Sequence, residues 1–238
     1  MLIFMKKWTF FALCILLFIG VFLAGFTLRK GLPVETAALP SYGIRVIVDA
    51  GHGEPDGGAA GKSGVLEKDL NLAVARFLQG YLEQGGAQVI MTRSDDSGIF
   101  DTDSKSIRNK KRSDLKNREK IMENSGADLF VSIHMNKFSD PKYSGPQVFY
   151  SKGHPLSESL AKLVQRELIA VLDPSMARAV KPAGKDIYLL SKASIPAVLV
   201  ECGFLSNPAE EQLLLTEDYQ KKTAWAIYCG ILHYLSGK

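Results

Sequence analysis

The stretch 44–67, IRVIVDAGHGEPDGGAAGKSGVLE, narrows most what this chain can fold into. It opens with a short apolar run in which Ile44, Val46, Ile47 and Val48 are β-branched, the pattern of a buried parallel strand. At Asp49 it passes into a loop holding Gly51, Gly53, Gly57, Gly58, Gly61 and Gly64. Glycines let other groups come close to the backbone. His52 lies inside this loop, and Glu67 opens the helix beyond it. An imidazole and a carboxylate carried together on a strand-to-helix loop suit a metal ion that takes nitrogen and oxygen ligands.

The next elements extend the same architecture. Leu66, Leu70, Val74, Phe77 and Leu78 recur at helical spacing, and Gly85 and Gly86 end that helix. Residues 88–92 read as the second strand. A β-α-β order predicts an α/β fold with a mainly parallel central sheet flanked by helices. Further strands are expected at 129–133, running straight into His134, at 147–150, at 186–190, and at 197–200, capped by Glu201. Leu160, Leu163, Val164, Leu168 and Val171 mark an amphipathic helix over 156–172. Thr216, followed by Glu217 and Asp218, starts a last helix with Ala224, Ile227, Tyr228, Ile231 and Leu235 inward. The polar, mixed-charge stretch 93–116 reads as a solvated surface loop beside the sheet, with room for a substrate-contacting flap. A helix is expected over 114–125.

Residues 8–28 carry no charge and are long enough to cross a bilayer as a helix, with Lys6 and Lys7 before them and Arg29 and Lys30 after. The run exceeds a usual signal h-region, and no small-x-small site sits just behind it. A retained anchor is therefore expected over a cleaved signal peptide. The predicted organisation is a membrane segment over 1–30, a linker over 31–42 with Gly31, Pro33 and Pro40, and one folded domain over 43–238 on the outer side of the membrane. The four basic residues of the first segment account for the whole net charge of +4, so the rest is balanced. A nucleic-acid partner needs clustered Lys and Arg and is not expected. Three cysteines do not make a disulfide framework. Cys14 lies in the apolar run, and Cys202 and Cys229 read as small buried hydrophobes, although a pair between them stays open.

Ligands of open α/β sheets gather at the carboxyl ends of parallel strands. The expected strands deliver His52, His134 and Glu201 to that edge, and Glu67 starts the helix leaving it. Taken singly, a histidine after a strand is more often a surface or hydrogen-bonded residue, and a glutamate at a helix start ordinarily serves the helix dipole. Together, two imidazoles and a carboxylate leave one tetrahedral position for water, as in a catalytic zinc site. Glu201, between Ala-Val-Leu-Val and Cys-Gly-Phe-Leu, is poorly solvated, which raises a carboxyl pKa toward the range of a general base. Asp49 reads as a residue orienting the loop or a ligand through a hydrogen bond. His154, at a helix entrance, and His233, on the terminal helix, are read as uninvolved.

The segments VIVDAGHGEPDGGAAG, LEKDLNL, SIHMN and VLVECGFLSN, in this order and spacing, resemble the zinc-dependent N-acetylmuramoyl-L-alanine amidases that cut peptidoglycan. The resemblance covers about 45–235. It implies zinc (Zn2+) held by His52, Glu67 and His134, a catalytic Glu201, and peptidoglycan as substrate. Two positions depart from the family pattern: Ala50, where proline is usual, and Glu54, where glycine is usual. Neither is a ligand, but Glu54 puts the local substrate preference in question. The membrane segment, short linker and lack of wall-binding repeats look most like the germination-specific amidases of spore-forming bacteria, which would imply a part in muramic lactam formation in the spore cortex. Two other readings stay open: a zinc peptidase cutting within the stem peptide, and a non-catalytic wall-binding domain. Any need for a protein activator is not visible in the sequence.

Overall fold

The computed structural model describes residues 7–29, 39–175 and 178–237, with side chains for all of these except 7 and 24–29. The chain divides into two compact units, 1–37 and 38–238. The first contains helix α1 (Lys7–Arg29). Among the described residues, no helix is long and apolar enough to cross a membrane. The expected transmembrane segment over 1–30 therefore gains no support. Most of the expected linker, 31–38, lies outside the described residues. Its end already belongs to the second unit: Tyr42 N–H donates to Leu39 O, and the buried Ser41 hydroxyl donates to Gly85 O at 2.8 Å.

The second unit is an α/β sandwich of three layers. Its elements in chain order are β1 (Arg45–Ala50), α2 (Glu67–Gln84), β2 (Gln88–Met91), α3 (Ile107–Asn124), β3 (Leu129–Asn136), β4 (Gln147–Tyr150), α4 (Ser157–Leu172), β5 (Lys181–Pro182), α5 (Tyr188–Lys192), β6 (Ala197–Phe204), α6 (Pro208–Leu214) and α7 (Glu217–Ser236). The strands lie in the order β2-β1-β3-β6-β4-β5. Because side chains alternate across a strand, Val46 and Val48 face one layer and Ile47 the other. On the first face Val131, Ile133, Val198 and Val200 join them against Val74, Leu78, Leu160, Val164, Ile227 and Ile231, from helices α2, α4 and α7. On the second face Phe130, Ala197 and Leu199 pack against Met122 of α3 and Leu189 and Leu190 of α5. Strands covered on both sides read as continuous apolar runs.

Four expectations are corrected. The sheet is mixed rather than mainly parallel. Strands β2, β1, β3 and β6 run parallel, but β4 pairs antiparallel with β6 and carries β5 with it. The loop between β3 and β4 contains no crossover helix of the kind a parallel return requires, so the chain turns back. The stretch 93–116 is not all loop: α3 begins at Ile107, where the Ser106 hydroxyl caps it by accepting from Asn109 N–H. The helix expected over 114–125 is the second half of α3; the turns before it, with Ser113 inward, are too polar for an apolar period to reveal. Residues 186–190 lead into a helix, α5. Leu189 and Leu190 are both buried, which the alternation of a strand facing one layer would not allow. Finally, β3 and β6 run past His134 and Glu201 to Asn136 and Phe204, so those two residues lie within paired strands.

Candidate metal centre

The β1 backbone leaves the sheet at Ala50 and turns at once. Gly51 N–H donates to Ile133 O, and His52 takes a left-handed conformation with φ 62°. That turn points the His52 ring back over the sheet edge. Its Nδ1 lies 2.9 Å from Asp56 Oδ2, and its Nε2 lies 3.2 Å from Glu67 Oε1. Glu67 is the first residue of α2 and is buried. Its Oε1 lies 2.9 Å from His134 Nδ1 and accepts from Met135 N–H, while Oε2 accepts from Ala59 N–H at 2.8 Å. The two imidazole rings stand edge to face with centroids 5.0 Å apart. One donor atom from each of His52, Glu67 and His134 lies within 4.8 Å of the others. The three residues named from sequence as ligands are thus brought together.

The electrostatics match this grouping. Burial alone would lower the His52 pKa, but hydrogen bonds to Asp56 and Glu67 outweigh it and raise the ring to about 9. Burial likewise opposes ionisation of Glu67, and the two histidines overcome it, holding its carboxyl far below the usual range. A carboxylate kept ionised between two imidazoles is a donor set suited to a divalent ion of borderline hardness.

Glu201 lies beside His134 in the β3–β6 register. Its Oε2 is buried with no hydrogen-bond partner, which leaves a carboxylate oxygen next to the three donors and free to act. Burial first, and then the negative charge of Glu67, push its pKa up to about 7, against the opposing pull of His134 and His52.

Several supporting residues escaped the sequence reading. Asp56 fixes the His52 ring through Nδ1; a carboxylate four residues behind the histidine in the same loop was an available signal. Asn71, one helical turn after Glu67, donates to Gly51 O and to Glu67 Oε1. Arg118, buried in α3, donates to Asp49 Oδ1 at 2.5 Å, to Ala50 O and to His52 O, and nothing in its neighbours announces this. Asp49 also accepts from Ser132 and Thr92 hydroxyls, so it orients the loop through Arg118 and not a ligand directly. His154 and His233 make their contacts elsewhere, with Leu156 N–H and with Arg166 and Glu167. Cys202 and Cys229 are both free thiols.

The chain has close relatives among known proteins. A germination-specific N-acetylmuramoyl-L-alanine amidase of Bacillus subtilis is 42% identical over 201 residues, 84% of either chain. The N-acetylmuramoyl-L-alanine amidase AmiA of Escherichia coli is 32% identical over 240 residues, 83% of this chain and 78% of that one. Among solved structures, the CwlD amidase of Clostridioides difficile, determined in complex with the GerS lipoprotein, superposes with a TM-score of 0.80 at 49% identity. The match covers 82% of this chain and 100% of that one. Residues 46–233, which span every residue of the centre described above, match the N-acetylmuramoyl-L-alanine amidase family, and the chain belongs to it.

Proposed function

We propose that this amidase cleaves the bond between the lactyl group of N-acetylmuramic acid and the L-alanine of the peptidoglycan stem peptide, with zinc held by His52, Glu67 and His134 and with Glu201 as the base. Bound there, the ion supplies Lewis acidity, polarising a carbonyl and acidifying water. Glu201 takes a proton from the attacking water and hands it to the departing amine, a transfer suited to a carboxyl whose pKa burial has raised to about 7. Asp56 holds the His52 ring so that Nε2 faces the centre. The observation that carries this reading is the buried, unpartnered Oε2 of Glu201 beside three convergent donors. Such an oxygen is unfavourable for stability alone.

Mass analysis of digested muropeptides, with and without a chelator, tests the reaction. Free stem peptides bearing an L-alanine amine are expected, and chelation should abolish them. Shortened stems still joined to glycan would instead identify a stem peptidase. Glu201→Gln should keep its zinc and its fold and lose at least about a hundredfold in kcat. Activity within tenfold of wild type would remove Glu201 from the role.

The name of the Bacillus subtilis relative supports a place in germination, and a peptidoglycan substrate supports action on the outer side of the membrane, by secretion or an N-terminal anchor. The lipoprotein seen with the Clostridioides difficile amidase supports an accessory protein for this chain too. Turnover of purified cortex with and without a candidate lipoprotein measures that dependence.

A further inference from the structure

A cavity of about 590 Å³ opens beside Glu201, bounded by Asn136 at the end of β3 and extending along the β6–β4–β5 margin. Its walls include Phe149, Phe204 and Tyr143, and its rim carries Arg178, Lys181 and Asp186. Arg178 is held firmly. Its Nε donates to Ser144 O at 2.9 Å, and its guanidinium lies 4.9 Å from the Phe204 ring centroid. Phe204 is fixed in turn, because its N–H donates to Glu210 Oε2 and its ring stacks with Tyr143. The backbone beside Arg178 is tied to the catalytic strand pair: Gln147, opposite Glu201 in the β4–β6 register, donates to Ala179 O at 2.6 Å. Lys181 pairs with Phe149 across β5 and β4.

Among the described residues, the two terminal nitrogens of Arg178 and the Nζ of Lys181 have no carboxylate or other polar partner. The charge of Arg178 reaches the Glu210 carboxylate, but both of its oxygens accept backbone N–H groups, from Gly145 and Phe204. A guanidinium locked at Nε and by a ring face, with its outer edge free, presents the planar fork that binds a carboxylate bidentately. We propose that Arg178, assisted by Lys181, forms a specificity subsite that reads a carboxylate of the stem peptide on the far side of the L-alanine, and so sets which residue follows in the cleaved strand. This rests on the amidase reading above and adds a substrate feature to it. Asp186, also on the rim, carries negative charge and repels any acidic group placed beyond the fork.

The test uses two muropeptides that differ only in the residue after L-alanine, which carries its α-carboxylate free in one and amidated in the other. Wild-type protein is expected to favour the free carboxylate by about tenfold or more in kcat/KM, mostly through KM. Arg178→Gln should erase that preference by weakening the carboxylate substrate alone, Arg178→Lys should restore part of it, and Lys181→Met should reduce it by no more than about fivefold. Equal efficiency of wild type on both substrates, or an equal loss by Arg178→Gln on both, overturns the subsite. Calorimetric binding of the two free stem peptides to Glu201→Gln protein, with and without Arg178→Gln, reads the subsite without turnover. If wild type cleaves neither muropeptide, the proposed reaction fails, while this binding comparison still decides the subsite.

Discussion

The left-handed backbone of His52 aims a candidate ligand at the expense of local strain, on the order of 1 kcal/mol for a residue with a β-carbon. Among the described residues it is the only non-glycine with a positive φ. Its neighbours supply the room. A β-carbon on Gly51 would stand 2.2 Å from His134 Nε2, and one on Gly58 would stand 2.6 Å from Glu67 Oε2. Gly51→Ala should therefore displace the His134 ring, keep the far-ultraviolet circular dichroism of wild type, and lower zinc affinity at least about tenfold, read by metal analysis after dialysis against buffered zinc. At this scale the sequence was only partly legible. His52, Glu67 and His134 stood out by type and position, yet the loop glycines all look alike. Which one backs an imidazole is decided by the approach of β3, and no local pattern records that.

Helix α3 shows how an element supports a site it does not enter. Its Arg118 is buried and binds Asp49, Asp114 and the carbonyls of Ala50 and His52. Arg118→Met should destabilise the protein by about 3–5 kcal/mol in urea unfolding, because Asp49 would stay buried without its counter-charge. The pH dependence of stability follows from the same pair. Burial alone would raise the Asp49 pKa, but Arg118 and the Ser132 hydroxyl overcome it and lower it below the ordinary 3.8. A depressed carboxyl contributes stability that is complete above the unfolded-state pKa and is lost as pH falls through the folded-state value. Unfolding free energy should thus decline as pH drops below about 4, and Asp49→Asn should flatten that decline while lowering stability at pH 7. Helices α2, α4 and α7 were readable because a 3.6-residue apolar period faces a deep core. Helix α3 was readable only in its second half, the helix expected over 114–125; its first turns, 107–113, carry no apolar period and are mostly charged.

Across the whole second unit, the candidate ligands come from a loop, a helix start and a strand far apart in sequence, so an ion shared among them cross-links distant chain segments. Ion binding to the native state alone adds stability by mass action. Stripping the protein with a chelator should lower its Tm by about 5–10 °C in scanning calorimetry, and stoichiometric zinc should restore it. The convergence at one sheet rim was legible because parallel strands must release their ligands at the same end. The reversal of β4 and β5 was not, because the direction of a short strand depends on which edge it joins. That reversal divides the sheet into two territories. The parallel strands and the loops that leave them carry the candidate ligands and Glu201, while the antiparallel margin and the turns around it furnish most of the walls of the neighbouring cavity, with β6 as their shared border. Substitutions confined to that margin can therefore retune what an enzyme of this build accepts, without disturbing how it breaks the bond.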